Sequence, residues 1–272
     1  MLKLYENDPI FKKSVKIRLC EEIVNIQIFR PLAHIILLKI KNKNIKPEMI
    51  VVIHTIIIFC CSLLILISNS FILNLLIFLF LQLKTVLDNL DGQLARYKNI
   101  ESSFGRYFDT LMDYIGNLSI FMAIGIKHGE LLLSIFSFYI LTVVLSYDYN
   151  FEKLCKGIDN VESKNVEKIE KSEKILRYIY NFLLGYQDKI VQNIENYIIS
   201  KKNEYKDLFW NKKYLNITVN MGLSTQLLIL GIFILFGAEK MFLFIPLICF
   251  FIIILLFFYR SLILIKGKKQ TK

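Results

Sequence analysis

Apolar residues in this chain run in long blocks, separated by tight polar turns or by strongly basic stretches. Six blocks stand out, at about Met49–Ser68, Phe71–Leu87, Phe108–Ile126, Leu131–Tyr147, Leu215–Gly237 and Met241–Ile265. Each approaches the roughly 20 residues a helix needs to cross about 30 Å of hydrocarbon. Backbone amides in hydrocarbon must be satisfied within their own segment, so each block predicts a helix. Ser68-Asn69-Ser70, Lys127-His128-Gly129-Glu130 and Ala238-Glu239-Lys240 leave room only for short turns. Each should join two antiparallel neighbours.

Composition sharpens this picture. Hydrophobic residues make up 55% of the 272, which excludes a disordered chain. Their clustering argues against one soluble core. The 34 Lys and Arg exceed the 23 Asp and Glu, for a net charge of +11. Of these basic residues the three short turns hold only Lys127 and Lys240; the rest lie in the termini, the two other loops or the helix ends facing them. By the positive-inside rule both termini and the long loops are cytoplasmic, and an even number of spans satisfies this. The basic loops suit anionic lipid head groups, and no nucleic-acid reader motif accompanies them. The five Cys form neither a disulfide framework nor a C-x-x-C pair. The polar start of the sequence has no apolar h-region, so no cleavable signal peptide is expected.

The fold class is therefore all-α integral membrane, with six transmembrane helices and an N-terminal interfacial amphipathic helix. Residues 1–48 form the N-terminal segment, in which Phe11–Lys41 mixes basic and apolar positions and Pro31 suits a first helical turn. Residues 49–147 hold four spans. Residues 148–213 form a cytoplasmic loop: Asn160–Lys174 is a solvated low-complexity run, and Ile175–Ile199 is apolar at helical spacing, for a helix on the membrane or on the protein. Residues 214–272 hold the last two spans and a basic tail.

The chemistry concentrates between the second and third spans, over Asp88–Asp113. Carboxylates at membrane depth are costly and mark function. Asp88 and Asp91 are spaced i, i+3; Asp109 and Asp113 are spaced i, i+4; each pair shares a helix face. Two antiparallel helices then aim four carboxylates into one small volume. Their repulsion calls for divalent metal, and oxygen ligands suit Mg²⁺, Mn²⁺ or Ca²⁺. Gly92, Ala95 and Gly105 leave open surface beside them, and Arg96 offers a bidentate cation to phosphate. The competing structural account is that these Asp cap helices or pair with Arg96 and Arg106. It explains one or two of the four.

The stretch Asp88-x2-Asp91-Gly92-x2-Ala95-Arg96-x8-Gly105-x3-Asp109-x3-Asp113 resembles the full signature of the CDP-alcohol phosphotransferase (CDP-alcohol phosphatidyltransferase) family, in every fixed residue and spacing. The resemblance implies a membrane transferase of phospholipid synthesis that moves the substituted phosphoryl group of a CDP-alcohol, often CDP-diacylglycerol, to a second alcohol and releases CMP. It implies that Asp88, Asp91, Asp109 and Asp113 ligate Mg²⁺ or Mn²⁺, two ions by expectation. Asp113 is also implied as general base, and Gly92, Ala95, Arg96, Ser102 and Gly105 as contacts of nucleotide and diphosphate. Direct displacement is expected, since no separate nucleophile stands out. A departure lies at Lys46-Pro47-Glu48-Met49-Ile50-Val51: Pro47 is kept, but Glu48 and Val51 replace an amide and a hydroxyl common in the family. That weakens any nucleotide contact from this corner. The acceptor, a polar or lipid alcohol, stays open, as does a reversed pairing in which a CDP-linked soluble alcohol donates. Members often pair as homodimers.

Outside the motif, His34 and His54 read as satisfied residues in apolar surroundings, and His128 lies in a far-side turn. Trp210 and Tyr214 suit an aromatic belt. Asn216, Thr218, Asn220, Ser224 and Gln226 either line an acceptor pocket or bond between helices. Arg260 and Arg30 either snorkel or bind an anionic acceptor. A cation transporter is the distant alternative, but its coupling sites belong at the midplane of repeated halves, and no repeat is visible. A scaffold that kept the fold without activity is disfavoured by the intact motif.

Overall fold

The computed structural model describes residues 8–157, 171–200 and 206–270, and these contain helices and no strand. Of the low-complexity run Asn160–Lys174, residues 160–170 lie outside the described residues, and Lys171–Lys174 form the first turn of a helix rather than a solvated loop. Two helices precede the first long apolar block: α1 (Pro9–Ser14) and α2 (Arg30–Ile40), the latter entered through a π-helical turn over Asn25–Phe29. Pro31 sits in the first turn of α2, where its missing N–H costs nothing. Phe29, Ala33 and Leu37 are buried against Val86, Leu90 and Leu94, while Ile28, Leu32 and Leu38 stay exposed. The expected amphipathic segment is thus two helices, broken over 15–22, and its most apolar face meets protein.

Four long helices follow: α3 (Pro47–Ile67), α4 (Phe71–Lys98), α5 (Ser103–His128) and α6 (Leu131–Lys156). After them come α7 (Lys171–Tyr180), a π turn over Asn181–Gly185, α8 (Tyr186–Ser200) and α9 (Lys206–Phe209). The last elements are α10 (Lys212–Val219), α11 (Leu223–Leu235), α12 (Glu239–Phe242) and α13 (Ile245–Gln270). Among the described residues five stretches are long and apolar enough to cross a membrane: α3, α4, α6, Lys212–Leu235 and Glu239–Ile263. The chain is an all-α membrane protein. The expected third span, Phe108–Ile126, lies within α5, which has 26 residues but is not among the five. Arg106, Asp109, Asp113 and Asn117 lower its apolar content. The expected fifth span bends at Asn220-Met221-Gly222, between α10 and α11.

Helices α3, α4, α5, α6 and α11 share one core, including Ile58, Ile65, Leu81, Phe121, Ile124, Leu141 and Leu230. At Gly116 of α5 a Cβ would lie 2.5 Å from the Ile58 side chain, so glycine is what lets α3 and α5 approach. The short turns are tied together at one end of the bundle. Lys127 Nζ donates to the Ser68 carbonyl (2.8 Å) and to Glu239 Oε1 (2.5 Å), His128 Nε2 lies 3.2 Å from the same oxygen, and Lys240 pairs with Glu130 (2.8 Å).

The α7–α8 segment is inside-out for a helix in water. The polar side of α8 faces α6: Gln187 Nε2 donates to Thr142 Oγ1 (3.0 Å), Ser146 Oγ to Asp188 Oδ1 (2.6 Å) and Tyr147 Oη to Glu195 Oε1 (2.8 Å), while α7 packs on α5, with Tyr180 against Tyr107. The segment's apolar stripe, Ile175, Ile179, Phe182, Ile190 and Ile194, points away from the protein and is exposed.

Candidate metal and phosphoryl-transfer site

The site is built by α4 and α5. At about 1.5 Å per residue, the 28 residues of α4 span about 42 Å, well beyond the hydrocarbon thickness. Asp88 and Asp91 fall about 26–30 Å from its start, at the edge of the apolar layer. Asn99 then takes the left-handed conformation (φ 55°) and its N–H caps α4, so the chain reverses within a few residues. Ser102 opens α5, its Oγ accepting from the Gly105 N–H at 2.9 Å. Two turns later Asp109 and Asp113 face the α4 pair. Register and cap together bring the four carboxylates to one place, as the spacing predicts.

Two further side chains enter it. His54, from α3, is fully buried, with Nε2 3.3 Å from Asp91 Oδ2 and 3.6 Å from Asp109 Oδ1. Lys84, one turn before Asp88 on α4, is also fully buried, with Nζ 2.6 Å from Asp113 Oδ1 and 3.4 Å from Asp88 Oδ1. Neither was expected here; the reading of His54 as a bland apolar-face histidine is corrected by these distances. Lys84 stands at i−4 from Asp88, a spacing that brings side chains together on a helix, and that signal was available in the sequence. His54 lies 34 residues upstream on another helix, where only its polarity at membrane depth hinted at a role.

One ligand atom each from His54, Asp88, Asp91 and Asp109 lies within 4.8 Å of all the others. An ion with ligands at about 2.1 Å keeps opposite ligands about 4.2 Å apart, so the set closes on one with about half an ångström of movement. Asp109 Oδ1 is buried without a hydrogen-bond donor, an acceptor that a cation would satisfy. Oxygen-rich ligands with one imidazole fit Mg²⁺ or Mn²⁺.

The remaining motif residues lie around this cluster. Arg96 folds back over Gly92, where a Cβ would come within 2.9 Å of its Nη2. Its Nε donates to the Ser14 carbonyl at 2.5 Å, so the N-terminal segment holds it. The Ala95 carbonyl is used in the cap after α4. A Cβ on Gly105 would sit 3.1 Å from Ser102 Oγ and 3.7 Å from the Glu48 carboxylate, which places Glu48 at this corner.

Several outlying expectations are settled by partners. His34 is buried and meets Asp8 Oδ2 at 2.9 Å. Trp210 is no belt residue: it is buried, and its Nε1 donates to Glu195 Oε2 at 3.1 Å. Arg260 neither snorkels nor faces the site. It is 1% exposed and its Nη2 meets Glu195 Oε1 at 2.7 Å. Arg30 pairs with Glu21 at 2.5 Å. The polar group on α10–α11 makes structural bonds: Thr218 Oγ1 donates to Asp148 Oδ1 (3.0 Å), Asn220 Oδ1 accepts from Ile23 N–H (2.9 Å), and Gln226 donates to the Met221 carbonyl (2.9 Å).

Apolar helices that project an oxygen-rich cation site from one end define a membrane enzyme of charged, lipid-adjacent chemistry. The family model for CDP-alcohol phosphatidyltransferase matches residues 44–186, more than half of the chain, and the protein belongs to that family. Its members are transferases that move a phosphoryl-alcohol group from a CDP-alcohol to an acceptor, in phospholipid synthesis. The matched residues include α3 to α7 and hence every side chain of the cluster. No curated protein matches the chain.

Proposed function

We propose that the protein transfers the phosphatidyl group of CDP-diacylglycerol to the hydroxyl of a polar alcohol and releases CMP. One observation carries this: three carboxylates and an imidazole converge where α3, α4 and α5 meet, with Asp113 beside them on Lys84, and there a diphosphate can meet them while its acyl chains stay in the bilayer. The basic termini and loops support a cytoplasmic position for both termini and the site.

In this reading His54, Asp88, Asp91 and Asp109 hold divalent metal, which supplies charge neutralisation for the diphosphate. Arg96, which lies over Gly92, and the small residues Ala95 and Gly105 receive the donor's phosphates, and Ser102 lies beside the nucleotide. The acceptor oxygen bonds to the phosphorus that carries the alcohol as the bond to CMP breaks in line. CMP leaves with the bonding electrons, and the acceptor proton passes to the Asp113 carboxylate. Lys84 occupies Oδ1 of Asp113, and Oδ2 takes the proton.

The test is CMP release by purified protein from CDP-diacylglycerol with Mn²⁺ or Mg²⁺ and a panel of polar alcohols. Asp113→Asn should remove turnover, by a factor of about 10²–10⁴, while the protein stays folded. Turnover only with a CDP-linked soluble alcohol and diacylglycerol would reverse the assignment of donor and acceptor.

A further inference from the structure

Lys84 is the least expected group in the site. An ammonium within an apolar span is costly unless paired, and this one is fully buried. Its partners are Asp113 at 2.6 Å and Asp88 at 3.4 Å. The ligand set that closes on one ion contains His54, Asp88, Asp91 and Asp109, but not Asp113. The acidic residues therefore divide. Three, with an imidazole, form a pocket for a single cation. The fourth is already bonded to a cation belonging to the protein, and Asp88 lies between the two.

Resting on the metal-dependent reading above, we propose that the Lys84 ammonium stands in the place of a second metal ion. This protein then works with one divalent ion and one lysine, where the sequence alone led to two ions. A second divalent ion in the Asp88–Asp113 lobe would require Lys84 to abandon both carboxylates. It would also set a dication beside a buried ammonium. With Lys84 in place the Asp113 charge is already balanced, and the second carboxylate of the lobe, Asp88, is shared with the single-ion pocket. The lysine acts as a positioning residue: it holds Asp113 Oδ1 and leaves one carboxylate oxygen for the acceptor. His54 takes a share of the metal that an all-carboxylate site would give to Asp113.

The test counts ions rather than turnover. Full-length protein in detergent is titrated with Mn²⁺, and the bound ion is measured by electron paramagnetic resonance and calorimetry. Wild type should bind one Mn²⁺ per chain. Lys84→Met should gain a second, and Lys84→Arg should stay at one. Because Lys84→Met leaves two carboxylates unpaired and can fail to fold, Asp113→Asn gives an independent measure. Its Mn²⁺ affinity should stay within about twofold of wild type, whereas His54→Ala should lose about 10–100-fold, the range seen when a metal site loses a supporting group. Two ions in wild type, or a tenfold loss in Asp113→Asn, would overturn the inference and leave the proposed transferase intact. Absence of any bound Mn²⁺ would overturn both.

Discussion

Arg260 Nη2 lies 2.7 Å from Glu195 Oε1, and both side chains are about 1% exposed. Nη1 of the same guanidinium reaches Glu195 Oε2 at 3.1 Å, and Nη2 reaches Tyr147 Oη at 2.5 Å. This pair fastens α8 to the last long helix and to α6. Removing one partner strands a buried charge. Glu195→Ala should cost about 3–5 kcal/mol, seen as a lower unfolding midpoint in detergent. The double substitution Glu195→Leu with Arg260→Met should recover much of that loss. A single mutant as stable as wild type would show that the pair is not buried.

Glu22 gives the N-terminal segment a pH dependence. Its carboxylate accepts from the Thr225 N–H (3.0 Å) and Oγ1 (2.9 Å) at the start of α11, with Arg18 and Asp148 nearby. Burial outweighs these bonds and pushes its pKa up to about 7 from 4.5. The folded state therefore holds its proton more tightly than the unfolded chain. The resulting stability is fully present below about pH 4.5 and is lost as pH rises through about 7, on the order of 3 kcal/mol in all. Glu22→Gln should flatten the unfolding midpoint across pH 5–7. An unchanged slope would assign the dependence elsewhere.

Gly92→Ala tests the placement of Arg96. The added Cβ would meet only the guanidinium, 2.9 Å from Nη2, and the far end of a flexible side chain can move aside. The protein should fold normally. Its KM for the CDP-linked donor should rise several-fold, with a smaller change in kcat, because Arg96 is displaced from the diphosphate. An unaltered KM would remove Arg96 from donor binding.

Chelation offers a simpler check. Removing divalent metal with EDTA should abolish CMP release, and Mn²⁺ or Mg²⁺ should restore it. Zn²⁺ should restore less, because thiol and imidazole ligands are scarce in this site. Turnover that persists in EDTA would separate the carboxylates from any metal role.

The acidic motif was fully legible in the sequence, because i, i+3 and i, i+4 spacings on two consecutive helices already dictate which faces the carboxylates share. The long apolar helices were legible for the same reason of periodicity and length. Lys84 was missed although its i−4 spacing from Asp88 lay in the same helix; the rest of what escaped came from other elements. His54 approaches the cluster only because Gly116 lets α3 press against α5, a contact that no local pattern records. Glu195 is separated from Arg260 by 65 residues, so the pair cannot be inferred from either neighbourhood. Trp210 looked like a membrane-surface anchor because its buried acceptor lies on α8. The unequal α5, with its polar residues, also blurs the count of spans that hydropathy alone provides.

The knot of Lys127, Glu239, His128 and the Ser68 carbonyl, with Lys240 and Glu130 beside it, clasps three hairpin turns at the end opposite the aspartates. Helices bound at their feet can splay only at their heads. The distal turns are thus the fastened end of the bundle, and the helices are least constrained relative to one another at the end that carries the aspartates.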